Sequence, residues 1–170
     1  PMITGKVGLD GVPDAFAAAG VPTKTIPYFD AETNGLAFDA ALAAVKKIPA
    51  GDVLLLHGCC HNPTGIDPTA DQWEQLAAAV RAGGVLPLLD FAYQGFADGV
   101  EQDAVGLRAF SQPGGEMIIC SSFSKNFGLY CERVGALTMV AANADQCAAV
   151  QSQIKRTIRT SDPNPPVPGA

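Results

Sequence analysis

The sequence predicts an α/β fold built on a largely parallel sheet. Two observations predict it. Short apolar runs of strand length alternate with stretches whose apolar residues recur at helical spacing. Three of the runs, Val53–Leu56, Val85–Leu89 and Met117–Cys120, lead directly into polar residues, His57, Asp90 and Ser121. Taken in order, Thr23 to Phe29 reads as a strand. Phe38, Ala41, Leu42, Val45 and Ile48 have helical spacing, with Lys46 and Lys47 in the last turn and Pro49 as the stop. Val53 to His57 is the next strand. Thr69 and Gln72 form a capping box, and Trp73, Leu76, Ala77 and Val80 supply the apolar face of the helix behind it. Gly83 and Gly84 end that helix and Val85 to Leu89 follows as a strand. A short helix covers Asp103 to Phe110. Met117–Ser121 and Val134–Val140 are strands flanking a loop, and Cys147, Val150, Ile154 and Ile158 mark a last helix.

Composition bounds the function. A chain of 170 residues, 48% of them hydrophobic, can bury one sizeable core and is not disordered. A net charge of -6 with no basic cluster argues against nucleic acid as a partner. No apolar run is long enough to cross a bilayer, so no membrane partner is expected. The start, Pro1-Met2-Ile3-Thr4-Gly5-Lys6, carries no secretory pattern, and its lack of an initiator methionine leaves a processed or truncated start open. Five cysteines, at 59, 60, 120, 131 and 147, form no C-x-x-C pair and point to a reducing, cytoplasmic setting. Pro163 to Pro168 is too proline-rich for helix.

The most informative residue is Lys125, inside Ser121-Ser122-Phe123-Ser124-Lys125-Asn126-Phe127-Gly128-Leu129-Tyr130. No other charge lies within four residues of it, and it follows an apolar strand. An amine at the end of such a strand can be desolvated, which favours its neutral form. A neutral amine attacks carbonyls and makes a Schiff base. The aldehyde cofactor such a lysine serves is pyridoxal phosphate, and Arg133, with its rigid five-donor fork, is the candidate for the phosphate end. Taken alone, Lys125 reads equally well as a loop lysine on the surface.

Two other segments shift the balance. In Val85-Leu86-Pro87-Leu88-Leu89-Asp90-Phe91-Ala92-Tyr93 an apolar run ends in one carboxylate. Ligands of parallel α/β sheets bind beyond the carboxyl ends of the strands. Asp90 is therefore placed to keep a pyridine nitrogen protonated, which makes the ring an electron sink. Tyr93 can hydrogen-bond the phenolic oxygen of the ring. In the second segment the strand Val53–His57 runs into Gly58-Cys59-Cys60-His61-Asn62-Pro63-Thr64-Gly65, a sequence of turn chemistry. Asn62 can donate to the same ring oxygen, and the peptide before Pro63 is a candidate for cis geometry. The alternatives are ordinary: Asp90 as a cap, Tyr93 as packing. His57-Gly58-Cys59-Cys60-His61 also offers metal-ligand types, yet its spacing is too tight for a usual tetrahedral zinc site, so no metal is expected. A cysteine nucleophile, Cys59 or Cys60 paired with His61, is a further option of about the same weight, and small buried cysteines are the expected account of both.

His57 to Pro68, Asp90 to Phe96 and Ser121 to Gly135, in this order, resemble the class I (fold type I) aminotransferases, in particular the aspartate and aromatic-amino-acid branch. The resemblance runs from about Phe16 to Ala170. It implies a three-layer αβα large domain, incomplete here, with residues 1-15 as a divergent N-terminal segment and 16-170 as a partial cofactor-binding domain. It implies pyridoxal 5'-phosphate held by Lys125, which also shuttles the substrate's α-proton. It further implies Asp90 on the pyridine nitrogen, Tyr93 and Asn62 on the phenolic oxygen, Ser122 and Arg133 on the phosphate, and His57 beneath the ring. Arg159 stands where the family places an arginine that reaches into the neighbouring subunit and binds a substrate side-chain carboxylate, with Arg156 as a nearby alternative.

The reaction so implied is amino-group transfer between an L-amino acid and a 2-oxo acid in a cytoplasmic homodimer. Aspartate or glutamate is the expected substrate. The run Thr160-Ser161-Asp162-Pro163 departs from the family pattern, and Asp162 puts a negative charge near a carboxylate site, so an aromatic amino acid stays open. The family's chains are more than twice this length. The competing expectation is therefore a catalytically incomplete fragment or non-enzymatic remnant, which binds cofactor weakly and turns over poorly.

Overall fold

A computed structural model describes residues 2–5, 12–113 and 115–160. β1 (Met2–Gly5) is followed by α1 (Val12–Ala18), β2 (Thr23–Ile26), β3 (Phe29–Asp30), β4 (Gly35–Leu36), α2 (Phe38–Val45) and β5 (Val53–His57). Then come α3 (Ala70–Gly83), β6 (Leu86–Phe91), a 3-10 turn at Gln102–Ala104, α4 (Val105–Phe110), β7 (Met117–Ser122), β8 (Gly135–Val140) and α5 (Ala144–Thr160). One sheet has the order β2-β1-β5-β6-β7-β8. Every neighbouring pair in it is parallel except β7 with β8. The expected largely parallel sheet is therefore present.

Several elements differ from the sequence reading. β1 and α1 fall in the segment to which no element was assigned, yet β1 lies inside the sheet, between β2 and β5. Four residues are too few to show a period, which hid the strand. The strand expected over Thr23 to Phe29 stops at Ile26. Pro27 has no N–H to continue a ladder, and Phe29–Asp30 pairs instead with Gly35–Leu36 in a separate antiparallel ribbon. The helix expected over Asp103 to Phe110 is split into a 3-10 turn and α4. The proline-rich stretch after Thr160 lies outside the described residues.

The core forms between one face of the sheet and a layer of α2, α3 and α4. Val45 and Ile48, then Trp73, Leu76, Ala77 and Val80, then Ala109 and Phe110 meet Leu54, Leu56, Leu89, Phe91, Met117 and Ile119. β6 alternates strictly: Pro87, Leu89 and Phe91 are buried, while Leu86, Leu88 and Asp90 are half-buried on the other face. That alternation, a property of any strand, puts Asp90 on the less crowded face. Gly106 lets α4 sit directly on the Trp73 indole, where a Cβ would come within 2.8 Å of a ring carbon. The capping box on α3 is complete: Thr69 accepts from Gln72 N–H and the Gln72 side chain accepts from Thr69 N–H. Gly84, at φ 62, closes the helix in the left-handed conformation that favours glycine.

Candidate functional site

The strand register brings the site together. His57 on β5 pairs with Asp90 on β6, Asp90 pairs with Cys120 on β7, and Ser122 pairs with Gly135 on β8. Three strands therefore end side by side and deliver their polar residues to one edge of the sheet.

The turn after β5 is held by side chains because no ladder continues there. The Asp67 carboxylate accepts from Cys60 N–H at 2.6 Å and from His61 N–H at 2.9 Å. The next amide, Asn62 N–H, donates to His57 Nδ1 at 3.1 Å. Cys60 sits at φ 50, a left-handed value that costs a residue with a Cβ, and the Asn62–Pro63 peptide is cis. A backbone amide can only donate, so His57 Nδ1 is unprotonated and its proton rests on Nε2. Burial lowers the His57 pKa, with the Asp67 charge pulling the other way. Nε2 is buried and has no hydrogen-bond partner among the described residues. His61 stacks on Tyr28 with ring centroids 3.9 Å apart, and its Nδ1 lies 2.8 Å from Thr64 Oγ1. Ile66 N–H donates to that same oxygen at 3.2 Å. Burial first, then the His57 ring, depress the His61 pKa to about 4, so the ring is neutral at pH 7. The Tyr28 hydroxyl donates to Ile66 O at 2.7 Å.

β6 is drawn tight against this turn. Gly58 N–H donates to Asp90 O at 2.8 Å, and Gly58 faces the Phe91 ring so closely that a Cβ would stand 2.3 Å from a ring carbon. Burial pushes the Asp90 carboxyl up, while the Lys125 charge and the Ala92 N–H oppose it. Beyond Asp90 the loop carrying Tyr93 is fastened by one residue. Asp103, buried, accepts from the N–H groups of Gly95, Ala97, Asp98 and Gly99. Burial alone would raise its pKa, but the backbone donors outweigh it and the net shift is downward.

Lys125 lies in the loop between β7 and β8. Phe123 N–H donates to Val134 O and Gly128 N–H to Lys125 O, and Phe123 packs edge-on against Phe127. Asn126 Nδ2 reaches Gln94 O at 3.5 Å and ties this loop to the Tyr93 loop. Lys125, half-buried, sets its Nζ 4.7 Å from the centroid of the Tyr93 ring. Next to it is a cavity of about 230 Å³ lined by Asp90, Cys120, Ser122, Ser124 and Arg133, among others. Arg133 is exposed, at φ 53, and its guanidinium donates to Tyr130 O at 3.2 Å. A larger cavity, about 430 Å³, lies at the opposite end of the strands among Arg81, Leu86, Glu116 and Val140 and holds none of these groups.

Of the residues singled out from sequence, Asp90, Ser122 and Arg133 line one cavity, Lys125 and Tyr93 touch, and His57 stands in register beside Asp90. Asn62 is exposed on the neighbouring turn. Arg159 is exposed on the last turn of α5, and no hydrogen bond or ion pair among the described residues ties it to the others. Among the described residues, neither His57 nor His61 joins the cysteines in a group of close ligand atoms, and each ring's Nδ1 is engaged within the turn. Cys59, Cys60 and Asp103 do cluster, with ligand atoms within 4.8 Å. Burial raises the pKa of both thiols, and Asp103 is already engaged by backbone amides, so the cluster is a poor anionic ligand set and a poor nucleophile. Sequence reasoning did not find Asp67 or Asp103. Each is one carboxylate in a polar loop, and only the fold brings backbone amides to it.

Comparison with known proteins bears on this edge. The family model described as aminotransferase class I and II matches residues 8–162. An aspartate aminotransferase of Salmonella typhi is 56% identical over 155 residues, covering 91% of this chain and 39% of that protein. An aspartate aminotransferase of Escherichia coli (strain K12) is 54% identical over 155 residues, with the same coverage of 91% and 39%. Among solved structures, the aromatic-amino-acid aminotransferase from Burkholderia pseudomallei covalently bound to pyridoxal phosphate superposes with a TM-score of 0.94 at 43% identity, over 99% of this chain and 42% of that one. The chain thus spans about two fifths of the length of the relatives it matches.

Proposed function

This chain belongs to the class I and II aminotransferases, and from that premise we propose that it forms the cofactor-binding wall of an enzyme that moves an amino group between an L-amino acid and a 2-oxo acid. The observation that carries the reading is the meeting of Lys125, Tyr93 and Asp90 at adjoining strand ends, with the amine 4.7 Å from the phenol ring and its charge felt by the carboxylate. These residues fit pyridoxal 5'-phosphate. An acid, a hydroxyl and a guanidinium line one cavity, the Lys125 amine and the Tyr93 ring meet at the adjoining strand ends, and a buried imidazole nitrogen at the same sheet edge has no hydrogen-bond partner among the described residues. When bound, pyridoxal phosphate supplies an aldehyde for amines and a ring that accepts the electron pair left by the substrate's α-proton.

The chain's own residues would do the rest. Asp90, partly desolvated, keeps its negative charge near an N–H⁺ donor because that pairing offsets its burial. Tyr93 and Asn62 offer hydrogen bonds from one side. Ser122 and Arg133 offer a hydroxyl and a two-pronged cation to a phosphate. His57, neutral, fixes the turn from below. Lys125 Nζ takes the α-proton and returns it, since an amine over an aromatic face can lose and regain a proton without leaving its place. Arg159, exposed on α5, is available to a carboxylate across a homodimer interface in a cytoplasmic enzyme. Aspartate or glutamate is the favoured substrate, in keeping with the aspartate aminotransferases among the relatives, and an aromatic amino acid is the alternative, in keeping with the structural neighbours. No helix among the described residues is long and apolar enough to cross a membrane.

A second reading, that these residues turn over poorly without further chain, is favoured by β8, which ends the sheet with Leu137 and Val140 exposed at 47% and 39%. Titration of the protein with pyridoxal phosphate tests the first reading. A visible absorbance band that forms in the wild type, persists in Lys155→Ala and is absent in Lys125→Ala supports it; a band that survives in Lys125→Ala refutes it.

A further inference from the structure

The turn that carries Asn62 is closed by one backbone hydrogen bond, Gly65 N–H to His61 O at 2.6 Å, and its leading amides are held by side chains. Of its three consecutive amides at 60, 61 and 62, two are taken by one carboxylate and the third by the His57 ring. The carboxylate belongs to Asp67, which lies beyond Asn62 in sequence and just before Pro68, on the return limb of the turn. Cys60 must hold φ 50 for all three amides to face inward, a conformation that a residue with a Cβ keeps only when its surroundings impose it. The two short bonds at 2.6 and 2.9 Å to Asp67 are the interactions that impose it.

We infer that Asp67 is a positioning residue for Asn62: its bidentate grip on Cys60 N–H and His61 N–H fixes the direction in which the Asn62 side chain leaves the turn, and through Asn62 it tunes the amine chemistry at Lys125. Asp67 itself makes no contact with Lys125, Tyr93 or Asp90 among the described hydrogen bonds. Its effect on the amine is therefore indirect, through the Cys60–His61–Asn62 backbone, and the long Cys60 Sγ–Tyr93 O contact at 3.9 Å is the other link from this turn to the Tyr93 loop. A carboxylate is required because only an anion with two acceptor oxygens takes both amides at once. Asparagine offers one acceptor and turns an NH₂ toward a donor. This inference rests on the reading of Asn62 as a cofactor contact, but part of its test does not.

Two measurements on wild type, Asp67→Asn, Asp67→Glu, Asn62→Ala and the double variant Asn62→Ala/Asp67→Asn decide it. The first is amide hydrogen exchange without cofactor. Asp67→Asn is expected to speed exchange at Cys60, His61 and Asn62 by roughly tenfold or more, the loss of a charge-assisted hydrogen bond, with exchange in β5 and β6 unchanged. Asp67→Glu keeps the charge and is expected to recover part of the protection. The second is the pH titration of the visible band after loading with pyridoxal phosphate. Asp67→Asn is expected to move its midpoint in the same direction as Asn62→Ala, and the double variant to move it no further than Asn62→Ala alone. Fluorescence of the single tryptophan, Trp73, buried in the core, reports whether each variant is folded. If Asp67→Asn does not fold, Asp67→Glu is read against wild type: protection of the three amides retained in part or in full supports the carboxylate requirement, and protection lost completely at all three in the folded variant overturns it. Unchanged exchange at all three amides in a folded Asp67→Asn overturns the inference, and so does full additivity in the double variant. If wild type gives no band, the functional reading falls by itself, and amide exchange alone decides whether Asp67 holds the turn.

Discussion

Lys125 Nζ stands over the face of the Tyr93 ring, 4.7 Å from its centroid, so an amine–aromatic contact joins the loop after β7 to the loop after β6 beside the Asn126–Gln94 hydrogen bond. An ammonium is drawn to the negative face of an aromatic ring, by about 0.5–1 kcal/mol where water still reaches it. The contact needs the ring and not the hydroxyl. Tyr93→Phe is expected to leave the rate at which an amine-specific acylating reagent labels Lys125 in the cofactor-free chain within about twofold of wild type, whereas Tyr93→Leu raises it several-fold. Equal labelling rates in Tyr93→Phe and Tyr93→Leu would show that the ring does not hold the amine.

Asp90 is predicted to cost the cofactor-free chain stability at neutral pH. Its folded pKa is raised, chiefly by burial, so the folded state binds the proton more tightly than the unfolded state does. Its contribution is most favourable below the unfolded value of 3.8, declines as pH rises through the window between that value and the folded one, and stays at its lower level above. Asp90→Asn should therefore raise the denaturant midpoint at pH 7 and lose that advantage below the unfolded carboxylate pKa. The same variant should bind pyridoxal phosphate roughly tenfold or more weakly, since a charge-assisted hydrogen bond is lost. A lower midpoint at pH 7 would contradict the assignment of burial as the dominant cause.

Asp103 should behave in the opposite sense. Burial works against its charge, but four backbone amides hold its folded pKa below the unfolded value. Its contribution is fully present above the unfolded pKa and is lost as pH falls through the folded one. Asp103→Asn is expected to cost roughly 2 kcal/mol or more at pH 7, because it turns an NH₂ toward amides that already donate. The difference from wild type should shrink in acid. Equal stability of the two proteins at pH 7 would contradict the picture of Asp103 as the fastening of the Tyr93 loop.

Gly58 marks where the turn after β5 touches the core. A Cβ there would overlap the Phe91 ring, which is almost wholly buried and has nowhere to go. Gly58→Ala should cost about 1–3 kcal/mol, a typical overpacking penalty. The displaced turn should also weaken pyridoxal phosphate binding, although Gly58 has no side chain to offer. Chemical denaturation followed by Trp73 fluorescence gives the first number and absorbance titration the second. Wild-type values in both would mean that Phe91 can move aside.

Much of this was legible in the chain itself. The strands β5, β6 and β7 announce themselves as apolar runs with polar ends, and α3 carries a capping box at one end and a glycine at the other. Lys125, Asp90 and Tyr93 stand out because strand ends are where a parallel sheet gathers ligands. What the chain conceals is whatever depends on residues far apart in sequence. β1 is four residues long, and its place between β2 and β5 follows from pairing alone. The ribbon of β3 and β4 exists because Pro27 interrupts what looks like one continuous strand. Asp67 and Asp103 look like any loop acid until a turn folds its amides onto them.

The most direct trial of the account is borohydride reduction of the protein in the presence of pyridoxal phosphate, followed by proteolysis and mass spectrometry of every lysine-containing peptide. The account predicts a phosphopyridoxyl group on the peptide carrying Lys125, in preference to Lys6, Lys24, Lys46, Lys47 and Lys155. Label spread evenly over those lysines, or found on another of them and not on Lys125, would contradict it.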